Sequence, residues 1–187
     1  MSKTAIRKEI LSQRINFLGL PEFKTSCAAI SENIFQFLTK KAEAEPLLIG
    51  GYSSIKGEVD LTNLYNEITN LAFPRIVLIK NHSEIEYAKI SSLSELSKSR
   101  LSFMEPPNTG QICYPDIILV PGISFDKNKR RIGYGMGHFD KFFMHGKKSD
   151  YNPIKIGICF NFQLQNSLPH EIHDQNMDYI ITESTII

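Results

Sequence analysis

The sequence contains no tryptophan, and only three of its 187 residues are cysteines: Cys27, Cys113 and Cys159. These cysteines are widely spaced and odd in number, so the chain has neither a disulfide framework nor a CxxC metal motif. Isolated thiols of this kind are typical of small buried side chains in reducing compartments. We therefore expect a cytoplasmic location.

Long apolar runs and an excess of one charge are also lacking. No run reaches the roughly 18–20 apolar residues that a membrane span needs, and charges interrupt the region where a secretory signal would be apolar. Lys and Arg number 21 against 20 Asp and Glu, which gives a formal net charge of +1. A general nucleic-acid binder usually has a clear basic excess. We expect a monomer without a membrane or nucleic-acid partner.

The apolar residues that are present follow alternating helical and strand patterns. Helical spacing predicts helices at 3–20, 23–38, 61–72 and 138–145, and short apolar runs predict strands at 46–52, 74–79, 85–90, 115–121, 154–160 and 178–182. A chain of this length suggests one domain spanning 1–187. The alternation predicts an α/β fold with a largely parallel sheet. Ligands usually bind at the carboxyl ends of such strands, so the loops after Tyr52, Pro121 and Phe160 are candidate sites.

Three alternating glycines, Gly133, Gly135 and Gly137, follow the clearest predicted strand. Their backbone N–H groups could cradle phosphate oxygens, because glycine permits close approach and positive φ. The pattern is not a Walker A loop, and its GxGxG spacing is not the GxGxxG of dinucleotide-binding folds. The glycines alone favour ligand binding and a tight β–α turn about equally.

Charged residues beside the glycines strengthen the phosphate interpretation. Arg131 can form the charge-assisted hydrogen bonds that phosphates favour. A helix beginning near His138 would add N–H donors and a favourable dipole. Asp140 is a hard oxygen ligand suited to Mg²⁺ beside phosphates.

The segment 116–140 also resembles a known family. Its string PGxxFD, then four residues, then R-hydrophobic-GxGxG-aromatic-aromatic-D is similar to the diagnostic motif of the 5-formyltetrahydrofolate cyclo-ligases, also called methenyltetrahydrofolate synthetases. Further blocks are similar in the same order along most of the chain: Lys3-x3-Arg7-x6-Arg14, 53–60, 73–75, 103–106, 173–174 and 178–182.

The resemblance implies an activity, a fold and ligands. The family converts 5-formyltetrahydrofolate and ATP to 5,10-methenyltetrahydrofolate, ADP and phosphate, with Mg²⁺ as cofactor. The implied fold is α/β, a three-layer Rossmann-like domain with a largely parallel central sheet (NagB/RpiA/CoA-transferase-like). The implied partners are the two small molecules, 5-formyltetrahydrofolate and ATP.

The resemblance also implies roles for individual residues. It assigns ATP contacts to Lys3, Arg7, Arg131, Gly133, Tyr134, Gly135, Met136, Gly137, His138 and Phe139. It assigns folate contacts to Ser53, Glu58, Tyr134 and His138. It implies metal ligation by Asp140 and Asp174, and catalytic roles for Arg131, His138 and Asp140.

Three residues depart from the family pattern and leave alternatives open. His138 and Phe139 stand where the family usually has two tyrosines, and Met136 stands where lysine or glycine is common. They motivate a diverged paralogue that uses the same nucleotide pocket for another substrate. A non-catalytic folate-binding protein is a second alternative, although it would have no use for Asp140 and Asp174. An RNA-binding role is disfavoured by the balanced charge.

Other charged residues favour structural roles. We expect Arg14 to be a surface or salt-bridge residue rather than a ligand, Asp60 to cap a helix, and Asp126 to shape its own loop. His170, Glu171, His173 and Asp174 match no standard zinc spacing, so a zinc site is disfavoured.

Overall fold

The computed structural model describes residues 1–42, 46–79, 82–99 and 103–187. The α-helices are α1 Lys3–Leu18, α2 Glu22–Lys41, α3 Thr62–Tyr65 and α4 His138–Lys148, with 3₁₀ turns at Leu93–Glu95 and Asn161–Gln163. The strands are β1 Ile49–Gly50, β2 Leu71–Ile79, β3 His82–Ile90, β4 Ser97–Lys98, β5 Met104–Glu105, β6 Ile112–Cys113, β7 Ile117–Pro121, β8 Ser124–Asp126, β9 Arg131–Ile132, β10 Ile154–Ile158, β11 Leu164–Gln165 and β12 Tyr179–Ile181.

Seven of these strands form one mixed sheet, in the order β12-β10-β7-β1-β2-β3-β6. The pairs from β12 through β2 are parallel, and β3 and β6 add antiparallel pairs at one edge. The prediction of a large, mostly parallel sheet is therefore confirmed. A smaller sheet pairs β8 with β11 and β9, and a third pairs β4 with β5.

Both faces of the large sheet are buried, as the residues of β7 show. Its residues alternate between two buried clusters: Ile117 and Leu119 face one, and Ile118 and Val120 face the other. Helix α2 contributes to the first cluster and α4 to the second. A strand buried on both sides must be apolar throughout, which explains the uninterrupted run in the sequence.

The predicted helices at the start of the chain are present with small differences in their ends. Ser2 caps α1 by accepting a hydrogen bond from the N–H of Ala5 (3.2 Å), and the helix ends at Leu18. Its buried Ile6 and Ile10 pack beside the small β8–β9 sheet, in a cluster with Ile123, Ile132 and Leu168. Within the described residues, no helix is long and apolar enough to cross a membrane.

The predicted helix at 61–72 is wrong beyond its first turn. Helix α3 ends at Tyr65, and Leu71 already pairs with Ile49 of β1 and Ile90 of β3. Asp60 does not occupy the N-cap position of α3, which is Leu61; its carboxylate accepts the N–H of Thr62 at 3.0 Å instead. Strand pairing with distant segments outweighs the local helical spacing here.

Candidate active site

A cleft of about 930 Å³ opens where the loops after β1 and β7 leave the sheet. Its lining includes each residue that the sequence assigned to ATP, folate or metal: Lys3, Arg7, Ser53, Glu58, Arg131, Gly133, Tyr134, Gly135, Met136, Gly137, His138, Phe139, Asp140 and Asp174. The loops after Tyr52 and Pro121 reach the cleft as expected. Of the described residues after Phe160, none before Glu171 lines it.

The glycine loop is built for close backbone approach. Gly135 and Gly137 have φ values of 102° and 67°, in the region that residues with a Cβ rarely adopt. Gly137 is also the N-cap residue of α4, and no side chain caps that helix end. The first N–H groups of α4 and the loop backbone therefore offer donors to an anion in the cleft.

The first helix brings two cations to this loop. The Nε of Arg7 donates to the carbonyl of Gly133 at 2.8 Å, which fixes α1 against the glycine loop. Lys3, one turn earlier, pairs with Asp174 (2.6 Å) and Glu171 (3.0 Å). Burial opposes the charge of Lys3, but these two carboxylates raise the pKa of its ammonium above the ordinary value.

Two carboxylates form one acidic corner of the cleft. The Oδ2 of Asp140 pairs with Arg131 at 3.0 Å, while its Oδ1 accepts the N–H of Gln175 at 3.2 Å. Because Gln175 follows Asp174, this bond places Asp140 beside the segment that carries Asp174. Burial opposes the ionisation of Asp174, but the hydrogen bond and charge of Lys3 hold the pKa of that carboxyl below its usual value.

The acidic corner suits Mg²⁺ in donor type. Mg²⁺ prefers oxygen ligands and commonly takes one or two carboxylates together with substrate phosphates and water. Asp140 and Asp174 provide such oxygens beside the glycine loop. No cluster of three or more His, Cys, Asp or Glu suited to a metal occurs among the described residues.

Glu58 lies deep on another wall of the cleft, with a residue exposure of only 5%. The hydroxyl of Tyr134 donates to its Oε1 at 3.0 Å, and the N–H of Ile55 donates to its Oε2 at 3.0 Å. Burial raises the pKa of the Glu58 carboxyl to about 7, although the charges of Arg14 and Arg131 and these two hydrogen bonds lower it. Glu58 is therefore close to half-ionised at neutral pH.

The structure makes Arg14 a salt-bridge residue, which is one of the two roles that the sequence predicted. It is not a surface residue: its exposure is 0%, and its guanidinium lies 3.9 Å from Glu58. It donates to the hydroxyl of Tyr134 at 2.7 Å. The one sequence signal was its spacing, because residues 3, 7 and 14 fall on one face of a helix.

His138 has a partner that the sequence did not suggest. Its Nε2 lies 2.8 Å from the Oγ of Ser83 on β3, and the tautomer decides which atom donates. Burial, with a smaller contribution from the charge of Lys141, lowers the pKa of His138. The ring is therefore held in a fixed orientation by β3 and favours its neutral form.

The remaining predicted residues shape the cleft in different ways. The Phe139 ring lies 5.4 Å from the guanidinium carbon of Arg131, a distance suited to a cation–π contact. The Oγ of Ser53 accepts the N–H of Met104 at 3.1 Å, which links the loop after β1 to β5. Met136 is 59% exposed at the cleft edge.

Comparison with known proteins identifies the family. The model of the 5-formyltetrahydrofolate cyclo-ligase family matches residues 1–183, and the chain belongs to this family. That is a family of ligases in folate metabolism whose members use ATP as a co-substrate.

Named relatives support the assignment over their whole length. The chain is 27% identical to a 5-formyltetrahydrofolate cyclo-ligase of Saccharomyces cerevisiae, covering 96% of this chain and 94% of that protein. It is also 27% identical to the cyclo-ligase of Mycoplasma pneumoniae, covering 98% and 99%.

A solved structure gives the same fold. The 5,10-methenyltetrahydrofolate synthetase of Aquifex aeolicus is 28% identical, with a TM-score of 0.74, covering 100% of this chain and 92% of that chain. The synthetase of Mycoplasma pneumoniae, 24% identical in its structure, has the same TM-score of 0.74.

Proposed function

We propose that this protein converts 5-formyltetrahydrofolate and ATP to 5,10-methenyltetrahydrofolate, ADP and phosphate. The observation that carries the proposal is the composition of one cleft. A glycine loop, cations and two carboxylates suited to ATP with Mg²⁺ share it with the buried Glu58, which is suited to the N–H groups of a folate.

The chemistry requires activation of a poor leaving group. The formyl oxygen attacks the γ-phosphorus of ATP and ADP leaves, so the oxygen becomes a phosphate ester. N10 then attacks the formyl carbon and loses its proton, and the bond from that carbon to the phosphate-bearing oxygen breaks. Such reactions depend mainly on positioning and on electrostatic stabilisation of the transferring group.

The ATP phosphates are assigned to the glycine-loop side of the cleft. Backbone N–H groups from Gly133 to Gly137 and the first turn of α4 bind phosphate oxygens, with Lys3, Arg7 and Arg131 supplying positive charge. Tyr134, Met136, His138 and Phe139 complete the ATP contacts. The uncapped end of α4, which opens into the cleft, supports this assignment.

Asp140 and Asp174 hold Mg²⁺ in this proposal. The ion, when bound, neutralises charge on the phosphates during transfer. Both carboxylates are paired with cations, Arg131 and Lys3, which places those cations beside the proposed metal and its phosphates.

The folate is assigned to the wall formed by Ser53, Glu58, Tyr134 and His138. Glu58 orients the substrate by accepting from its N–H groups. Arg131, His138 and Asp140 are the proposed catalytic residues. His138 donates or accepts a hydrogen bond near the formyl group, where the family usually has a tyrosine, and Ser83 fixes its ring.

The proposal also covers the fold type, the cellular location, the oligomeric state and the partners. We assign the fold to the three-layer Rossmann-like, NagB/RpiA/CoA-transferase-like type, with residues 1–187 as one domain. We also propose a cytoplasmic monomer that binds small molecules rather than nucleic acid or membranes. The free thiols of Cys27, Cys113 and Cys159 support a reducing compartment.

The test is a turnover assay with a matched variant. Purified protein is mixed with 5-formyltetrahydrofolate, MgCl₂ and ATP, and the near-ultraviolet absorbance of methenyltetrahydrofolate is followed, with a control lacking ATP. We expect an ATP-dependent rise that Asp140→Asn abolishes. Asp150→Asn, which neutralises an exposed carboxylate outside the cleft, should leave the rate unchanged. ATP binding without any rise would instead indicate a paralogue with another substrate.

A further inference from the structure

Helix α1 carries a third basic residue on the face that bears Lys3 and Arg7. Arg14 lies eleven residues after Lys3, about three helical turns, and so points to the same side of the helix. Unlike Lys3 and Arg7, it is not among the residues that line the cleft, and it is fully buried. A buried guanidinium is costly unless its donors are satisfied, so its partners indicate its role.

Most of those partners belong to segments that form the folate wall. Arg14 donates to the carbonyls of Ile55 (2.9 Å) and Lys56 (2.7 Å), and to the carbonyl of Gly122 (3.3 Å). It also donates to the hydroxyl of Tyr134 at 2.7 Å. The hydroxyl in turn donates to Glu58, which completes a relay from Arg14 through Tyr134 to the carboxylate.

Gly57 shows how closely this loop is fitted to α1. Its φ is +72°, and a Cβ at this position would lie 2.9 Å from the carbonyl oxygen of Arg14. The 55–58 loop therefore lies directly on the turn of α1 that carries Arg14. The Arg14 side chain can therefore hold both the loop that carries Glu58 and the residue that donates a hydrogen bond to Glu58.

We propose that Arg14 is a positioning residue for the folate half of the site. It fixes the 55–58 loop and the Tyr134 hydroxyl so that Glu58 presents its carboxylate to the substrate, while Arg14 itself contacts neither ATP nor folate. The inference rests on the proposed function, because it takes the Glu58 wall as the folate side. It predicts a defect confined to folate, although α1 also carries the ATP-side cations.

The experiment compares Arg14→Lys with wild type in direct binding. Lysine keeps the charge but not the planar fork of donors that four partners require. Isothermal titration would measure the Kd of 5-formyltetrahydrofolate and, separately, that of ATP. Loss of one or two charge-assisted bonds should weaken folate binding roughly tenfold or more, with ATP binding changed by less than about twofold. Gln13→Ala, an exposed neighbour on α1, should leave both constants unchanged.

A second variant tests the hydrogen-bond relay, and a separate measurement checks that the variants fold. Tyr134→Phe removes the shared hydroxyl and keeps the Arg14 guanidinium, and thermal unfolding would establish that each variant is folded. We expect Tyr134→Phe to weaken folate binding, and the double variant to bind folate no more weakly than Arg14→Lys alone, because the two residues act in series. Three outcomes would overturn the proposal: parallel weakening of ATP and folate binding by folded Arg14→Lys, unchanged folate binding by that variant, or additive effects in the double variant. Binding is measured without turnover, so absence of methenyltetrahydrofolate formation would count against the proposed function alone.

Discussion

Glu58 should make the stability of the protein fall as pH rises, and Glu58→Gln should remove that dependence. Burial raises the pKa of its carboxyl from 4.5 to about 7 in the folded protein, so the folded state retains a proton that the unfolded chain has already lost. Between those two pKa values the native state binds more protons than the unfolded state. Stability is therefore full below the unfolded pKa and is lost as pH rises through the folded pKa.

The magnitude follows from the size of the shift. At 1.36 kcal/mol per pKa unit, a shift from 4.5 to about 7 corresponds to roughly 3 kcal/mol in total. About 2–3 kcal/mol of this falls between pH 5 and pH 8, since the unfolded chain has begun to ionise by pH 5. Glutamine cannot ionise, and it also loses one acceptor, which the N–H of Ile55 now uses. That second effect shifts stability by a constant amount at every pH.

The assay is urea unfolding of wild type and Glu58→Gln at several pH values across this range. The free energy of unfolding of wild type minus that of the variant should decline by about 2–3 kcal/mol from pH 5 to pH 8. A difference that stays constant within about 0.5 kcal/mol would refute the reasoning. It would mean that Arg14 and Tyr134 outweigh the cost of burial and keep Glu58 ionised throughout.

Three further substitutions test other parts of the structure. Gly137→Ala should lower the free energy of unfolding by about 1–2 kcal/mol, because φ at this position is 67°, and it should weaken ATP binding. Gly19→Ala is the control: φ there is −82°, so neither stability nor ATP binding should change. Ser83→Ala should raise the KM for 5-formyltetrahydrofolate about fivefold by releasing His138, and an unchanged KM would exclude this role. Ile30→Ala, fully buried on α2, should lower the free energy of unfolding by about 2–5 kcal/mol while active enzyme keeps its KM values.

The local sequence pattern was sufficient to predict most of the helices and strands of the large sheet, but not the residues at which they end. The strand around Ile117 is apolar throughout because both its faces are buried, and this pattern is visible in the sequence without knowledge of the strand's partners. Leu64 and Leu71 stand at helical spacing, yet they belong to a helix and a strand. The difference arises from the pairing of Leu71 with β1 and β3, which no local window contains.

The candidate site also has features that the sequence predicts and features that it does not. The glycine loop and its neighbouring charges are contiguous, so their chemistry and family resemblance could be recognised from sequence. The contacts that hold the site are not contiguous: Ser83 lies 55 residues from His138, and Arg14 lies 120 residues from Tyr134. Whether a charged side chain is buried depends on such distant partners, which is why the sequence could not decide between a surface role and a salt-bridge role for Arg14.

Strand β1 has a consequence for synthesis on the ribosome. It contains only two residues, but it joins the two halves of the sheet: Ile49 pairs with Leu71 on one side and with Ile117 on the other. A nascent chain that ends before Ile117 therefore exposes an unpaired apolar edge, which invites association with other chains. We expect the sheet to close late, after β7, β10 and β12 have emerged.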